Sequence, residues 1–188
     1  MTYRKYSGSA WTHFISIPLN ISNGLTDKYK EFMRQAKGID HNAFTKVNRL
    51  HLTACMLRLD GKDIDKMKDM LKRLTHYLKV ELELGGLNVM KGSREDARVV
   101  YASVVNEQVL KSFEDALRRE LASYNTSDLA QVKWHCTLIN GKYTGRGYDT
   151  SELPEIEFGV VRPVELHLSR LKPSREPYYE CECKAEIE

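Results

Sequence analysis

Two His-x-Thr tripeptides, His51-Leu52-Thr53 and His135-Cys136-Thr137, are the residues of this chain whose types and spacing are best suited to chemistry. Each stands in a run of apolar and β-branched residues, LHLTACML and VKWHCTLIN, that reads as a strand. Side chains alternate between the two faces of a strand, so His51 projects with Thr53 and His135 with Thr137. Each motif thus offers an imidazole, which titrates near neutrality, beside a hydroxyl. One neutral imidazole can take a proton from an attacking water or ribose 2′-hydroxyl, while the other, protonated, gives one to the leaving oxygen. The threonine hydroxyls would hold the non-bridging oxygens of a phosphoryl group, a service a metal ion often supplies. The expected chemistry is metal-independent cleavage of a phosphodiester, with no cofactor.

A third tripeptide, His167-Leu168-Ser169, also lies in a strand-like run, so the tripeptide alone does not select the pair. The surrounding elements do. A strand over His13 to Leu19 is followed by a helix from Leu25 to about Lys37, with Thr26 and Asp27 as start signals and Gly38 as the stop. The first motif's strand, Leu50 to Leu59, comes next, then a second helix from Asp63 to about Leu78 on Ile64, Met67, Leu71 and Leu74. ELELGGLNVM and ARVVYASVV read as strands flanking the exposed KGSRED, and Val109, Phe113, Leu117 and Leu121 mark a third helix before the second motif. IEFGVV, VELHLSRL and YYECECKAEI close the chain in strand-like alternation. Strand, helix and His-x-Thr strand therefore occur twice: thirty-six residues separate Ile15 from His51, and the same number separate Val99 from His135. This predicts two related lobes facing one cleft. His167 has no preceding helix after Pro154, falls outside the repeat, and is expected to be structural.

Around the motifs, Lys142, Tyr143 and Arg146 lie in the Gly-rich loop GKYTGRGYDT, where cations mixed with aromatic rings suit single-stranded nucleic acid. Arg94 and Arg98 are further candidates for RNA contact. Tyr178 and Tyr179 alternate on the last strand, so one is expected to face the cleft and stack on a base.

The 188 residues, 41% hydrophobic and 29% charged, fit one globular body, and a formal charge of +3 permits a polyanionic partner without requiring one. No apolar run approaches the roughly 20 residues of a membrane helix. The basic start MTYRKYSGSA, expected to be a flexible tail over residues 1–10, lacks the apolar stretch of a secretory signal, which points to an intracellular protein. Cys55, Cys136, Cys181 and Cys183 show no C-x-x-C spacing and read as reduced thiols rather than zinc ligands.

The paired motifs, with THFISIPLN, ARVVYASV, WHCTLING and YYECECKAEI around them, resemble the two-histidine phosphoesterase superfamily. The resemblance runs from about Trp11 to Ile187. Within the superfamily the chain is most similar to the branch represented by the C-terminal phosphoesterase domain of activating signal cointegrator 1 complex subunit 1, with that of A-kinase anchoring protein 7 related. The likeness implies an α+β, bilobal fold over residues 11–188, two pseudo-duplicated lobes with antiparallel sheets facing a central cleft and helices outside. It marks His51, Thr53, His135 and Thr137 as the catalytic set. It implies action on 2′,3′-cyclic, 3′-terminal or 2′,5′-linked RNA-type phosphodiesters. Subunits of a coactivator, helicase or DNA-repair complex are the implied partners, and a nuclear location follows. No Gly-x-x-Gly loop of an RNA-binding KH domain is present. The alternative function is a non-catalytic RNA- or nucleotide-binding module of such a complex.

Overall fold

The computed structural model describes residues 11–19, 23–130, 132–172 and 178–188. The expected N-terminal tail, Pro173 and Pro177 lie outside the described residues. In chain order the elements are β1 (His13–Pro18), α1 (Asn23–Gln35), β2 (His51–Arg58), α2 (Ile64–Thr75), β3 (Leu82–Lys91), β4 (Val99–Val104), α3 (Lys111–Glu120), the short β5 (Asn125–Thr126), β6 (His135–Asn140), β7 (Glu157–Val161), β8 (Glu165–Leu171) and β9 (Tyr179–Glu186). Every strand and helix expected from periodicity is present; the helices begin or end a few residues away, because short 3₁₀ turns such as Gly61–Asp63 and Glu107–Leu110 take up their entries.

The strands pair antiparallel in the order β7-β3-β4-β6-β2-β1-β8-β9, with β5 added on β2. The sheet is nearly two sheets. At its centre β2 and β6 share one pair, Leu52 with Cys136, whereas the pairings on either side run over many residues. This weak seam divides the sheet into β7-β3-β4-β6 and β2-β1-β8-β9, which are the two lobes.

The lobes do not coincide with the two halves of the sequence. β8 and β9, from the end of the chain, complete the lobe of β1 and β2. Helix α1, although it follows β1, packs on β7, with Phe32 edge-on to Phe158 at 6.4 Å between ring centroids. Helix α2 covers β8 and β9 through Met67, Leu71 and Leu74, all fully buried, against the equally buried Leu166 and Leu168. Burying each such side chain contributes roughly 1.5–3 kcal/mol. Among the described residues no helix is long and apolar enough to cross a membrane.

Candidate active site

The two motif strands are held to one orientation by the residues between and beside the histidines. Leu50 and Leu52 are 1% and 0% exposed, and Trp134 and Cys136 are 1% and 2% exposed, so the alternate positions His51, Thr53, His135 and Thr137 are turned away from the core. A slip of one residue would bury both imidazoles and expose Trp134, which fixes the register strongly. Trp134 has a further anchor: its indole N–H donates to the Glu114 carboxylate at 2.8 Å, and its ring lies 6.0 Å from that of Phe113 on α3.

Each imidazole is oriented by the chain two residues before it. His51 Nδ1 lies 2.7 Å from the Arg49 carbonyl oxygen, and His135 Nδ1 lies 2.6 Å from that of Lys133. A carbonyl can only accept, so Nδ1 carries hydrogen in both rings and Nε2 is the nitrogen that gains or loses a proton. The surroundings of the two rings then differ. His51 stands against the rings of Phe14 and Tyr179, at 5.5 and 5.6 Å. Burial there pushes its pKa below the usual imidazole value; the bond to the Arg49 carbonyl opposes this, and the like charges of His135 and His167 add to it. His135 meets only the edge of Tyr101, at 5.4 Å, and the Lys133 ammonium covers the Tyr101 face at 4.8 Å.

Continuing the Leu52–Cys136 register by one residue each way sets His51 opposite Thr137 and Thr53 opposite His135. The four predicted groups therefore form a quartet across the seam, each imidazole facing the other motif's hydroxyl. Both hydroxyls are half-buried, and neither has a hydrogen-bond partner among the described residues. A cleft of about 740 Å³ opens beside the His51 and Thr137 end of this quartet. One wall is Tyr143, Tyr178 and Tyr179, with Tyr143 and Tyr178 stacked at 5.2 Å and 21°. Tyr179 is buried enough that its phenol is pushed up to about 12, so it stays a neutral donor, to the Arg49 carbonyl at 3.3 Å. The facing wall is the segment from His41 to Val47, tied to β6 by the Thr45 amide bond to the Leu138 carbonyl at 2.8 Å. The buried hydroxyl of Tyr29 lies 2.8 and 2.9 Å from the carbonyl oxygens of Thr45 and Leu138, which fixes that wall.

Of the flanking residues expected to touch substrate, Tyr143, Tyr178 and Tyr179 line the cleft; Tyr178 precedes β9 instead of alternating with Tyr179 on it, so both of that pair line the cleft rather than one. Lys142, Arg146, Arg94 and Arg98 do not line it. Arg146 folds over Tyr148 at 5.2 Å, and Arg98 pairs with Asp96 at 3.7 Å and donates to the Gly145 carbonyl at 3.3 Å. Arg94 engages this loop through its carbonyl, which accepts from Thr150. Arg94 and Arg98 attach the Gly-rich loop to the segment before β4, whereas Arg146 packs within the loop. The close approach is possible because a side chain at Gly141 would meet the Arg146 carbonyl oxygen at 2.1 Å, and one at Gly147 would meet Asp96 at 1.9 Å.

Sequence reasoning missed Arg49, Lys133, Asn140, Phe14 and the His41–Val47 wall. A signal for the first two was present: both motifs are preceded by a basic residue at the same offset, Arg49-Leu-His51 and Lys133-Trp-His135. It also set His167 aside as structural; β1 pairs Ser16 with both Thr53 and His167, so His167 lies on the same sheet face as Thr53. Burial pushes the Cys55 and Cys136 thiols up to about 12, so they remain protonated, and among the described residues no three His, Cys, Asp or Glu side chains gather into a metal-holding set.

Residues 11–187 match the model of a family described as the AKAP7 2′5′ RNA ligase-like domain. Among solved structures, LigT of E. coli complexed with 3′-AMP is 17% identical with a TM-score of 0.65, over 95% of this chain and 99% of that one. A protein of Thermus thermophilus is 17% identical with a TM-score of 0.64, over 94% of this chain and 97% of that one. The PDE domain of MHV ns2 is 16% identical with a TM-score of 0.58, over 87% and 100%. All three likenesses concern the fold.

Proposed function

We propose, since the chain belongs to the AKAP7 2′5′ RNA ligase-like domain family of two-histidine phosphoesterases, that it hydrolyses RNA-type phosphodiesters by acid–base catalysis between His51 and His135. The observation that carries this reading is the quartet: two imidazoles with oriented Nδ1–H groups, each opposite a threonine hydroxyl that has no other partner among the described residues. The scissile phosphate sits over the seam. Thr53 and Thr137 donate to its non-bridging oxygens and take up the charge that grows there. His51, whose setting disfavours its charged form, is the base that accepts the proton of the attacking hydroxyl or water at Nε2. His135, on the more open side, holds the proton that goes to the leaving oxygen. Each role is worth about 10²–10⁴ in rate.

The tyrosine wall and Arg49 receive the nucleoside on the His51 side, since flat rings and a guanidinium accept any base face. Crystal structures of E. coli LigT with 3′-AMP, ATP and NADP+ support a nucleotide-type ligand in a fold of this kind. The similarity of the chain to the cointegrator-subunit branch makes a nuclear coactivator or helicase complex the setting we favour for this activity.

The test offers the protein short RNAs ending in hydroxyl, phosphate and 2′,3′-cyclic phosphate, with 2′,5′-oligoadenylate, in EDTA, beside His51→Ala and His135→Ala. Turnover of at least one substrate, lost in both variants, is expected. Activity abolished by EDTA, or surviving both substitutions, would refute the mechanism. Tight binding of the same RNAs without turnover would instead favour a recognition module.

A further inference from the structure

His167 shares a sheet face with Thr53. β1 pairs Ser16 with Thr53 on one side and with His167 on the other, and β8 pairs His167 with Lys184 on β9. Antiparallel partners project to the same face, so Thr53, Ser16, His167 and Lys184 form a row leading away from the reaction centre. Ser16, 3% exposed, lies between Thr53 and His167 in this row. The opposite face of β8 is fully buried at Leu166 and Leu168, so Glu165 and His167 lie together on the face that carries Thr53, outside the lining of the cleft itself.

The imidazole is also fixed. Its Nε2 lies 2.7 Å from Glu165 Oε2, and the other carboxylate oxygen accepts from the Lys184 ammonium at 2.5 Å. Burial pushes the Glu165 carboxyl up, but the hydrogen bonds from Lys184 and His167 outweigh it and hold it below the usual range. A carboxylate only accepts, so Nε2 carries hydrogen, and Nδ1 is left for a ligand.

We propose that His167, held by Glu165 and Lys184, is a second anion site that binds the phosphate next to the scissile one. The inference rests on the reading of the quartet as a phosphodiesterase centre, and it makes the substrate an oligonucleotide or a phosphate-capped dinucleotide rather than a cyclic mononucleotide. Two strand spacings separate Thr53 from His167, about 10 Å between Cα atoms, a span that the linkage between neighbouring phosphates and two side chains can bridge. A phosphate oxygen at Nδ1 and the Glu165 carboxylate at Nε2 would hold the ring from both sides. Lys184 offsets the negative charge of Glu165 there. That His51 feels the charge of His167 fits this closeness.

The test compares adenylyl-adenosine dinucleotides, 2′,5′- and 3′,5′-linked, with the same dinucleotides bearing a 5′- or 3′-terminal phosphate. Wild-type protein should prefer a phosphorylated form in kcat/KM, and His167→Asn should cut that preference about tenfold, with Lys184→Gln, as the variant less exposed to folding failure, cutting it in the same direction. An equal proportional loss with and without the terminal phosphate in both variants would overturn the proposal. Calorimetric binding to His135→Ala, with and without His167→Asn, separates the two readings. A phosphate-dependent affinity lost with His167, in a protein that turns over none of the substrates, leaves the anion site standing and removes the hydrolase. Good turnover with the same preference in wild type and both variants removes the anion site alone.

Discussion

Replacing Thr53 and Thr137 by valine isolates the part of the quartet whose worth is easiest to work out. Valine keeps the branched shape and the strand preference of threonine and removes only the hydroxyl. Neither hydroxyl makes a hydrogen bond among the described residues, and both side chains are half-buried, so the fold loses little. The expected stability change is within about 0.5 kcal/mol, or roughly 1–2 °C in Tm for a domain of this size. The substrate loses much more. A hydrogen bond to a charged phosphate oxygen is worth about 1.5–3 kcal/mol, so each single variant should lower kcat/KM by about 10- to 150-fold. The two hydroxyls stand at opposite corners of the quartet, across from different histidines, so the double variant should lose about 10²–10⁴-fold. Initial rates on the best substrate of the RNA panel, beside a thermal melt of each variant, measure both quantities. A valine variant that melts like wild type and keeps its kcat/KM within twofold would refute the assignment of that threonine to the phosphate.

The pH dependence has a fixed sign. His51 must be neutral to accept a proton, and its pKa is held below the usual imidazole value of 6.5, so kcat/KM should rise with pH along a limb centred below 6.5. A wild-type rate profile with no limb below 6.5 would refute the assignment of His51 as the base. The same shift means that the unfolded chain binds the proton more readily than the folded one. Stability from His51 is thus complete above about pH 6.5 and is lost as pH falls through the lowered pKa, which denaturant melts at pH 7 and pH 5 would show in wild type and far less in His51→Ala. Trp134→Phe removes the indole donor to Glu114 and part of a fully buried side chain, at an expected cost of about 2–4 kcal/mol by thermal unfolding; a loss under 0.5 kcal/mol would show that Trp134 does not anchor β6. Tyr143→Ala takes away half of the stacked tyrosine wall and should raise KM for single-stranded RNA about fivefold or more, since base stacking is worth about 1–3 kcal/mol; an unchanged KM would place the base elsewhere.

The sequence by itself determined the strands, the helices and which side chains of the two motifs leave the core. Those features are local: alternation at Leu50, His51, Leu52 and Thr53, or at Trp134, His135, Cys136 and Thr137, states which side chains leave the core whatever the neighbouring strand turns out to be. The equal spacing within the repeat matched the two motifs, whose strands lie side by side at the seam, although of the four residues only His51 and Thr137 line the cleft. What only the tertiary structure decided is which strands lie side by side. Pairing depends on contacts far apart in the chain, and alternation does not specify a partner. For that reason β8 and β9 could join β1 and β2 without a trace in the periodicity, and His167 came onto the sheet face that carries Thr53. The same holds for the difference between the two imidazoles. Both motifs read alike, but Phe14 and Tyr179 reach His51 from β1 and β9, whereas His135 meets the edge of Tyr101 on β4, and the burial of His51 is the largest cause of its lowered pKa.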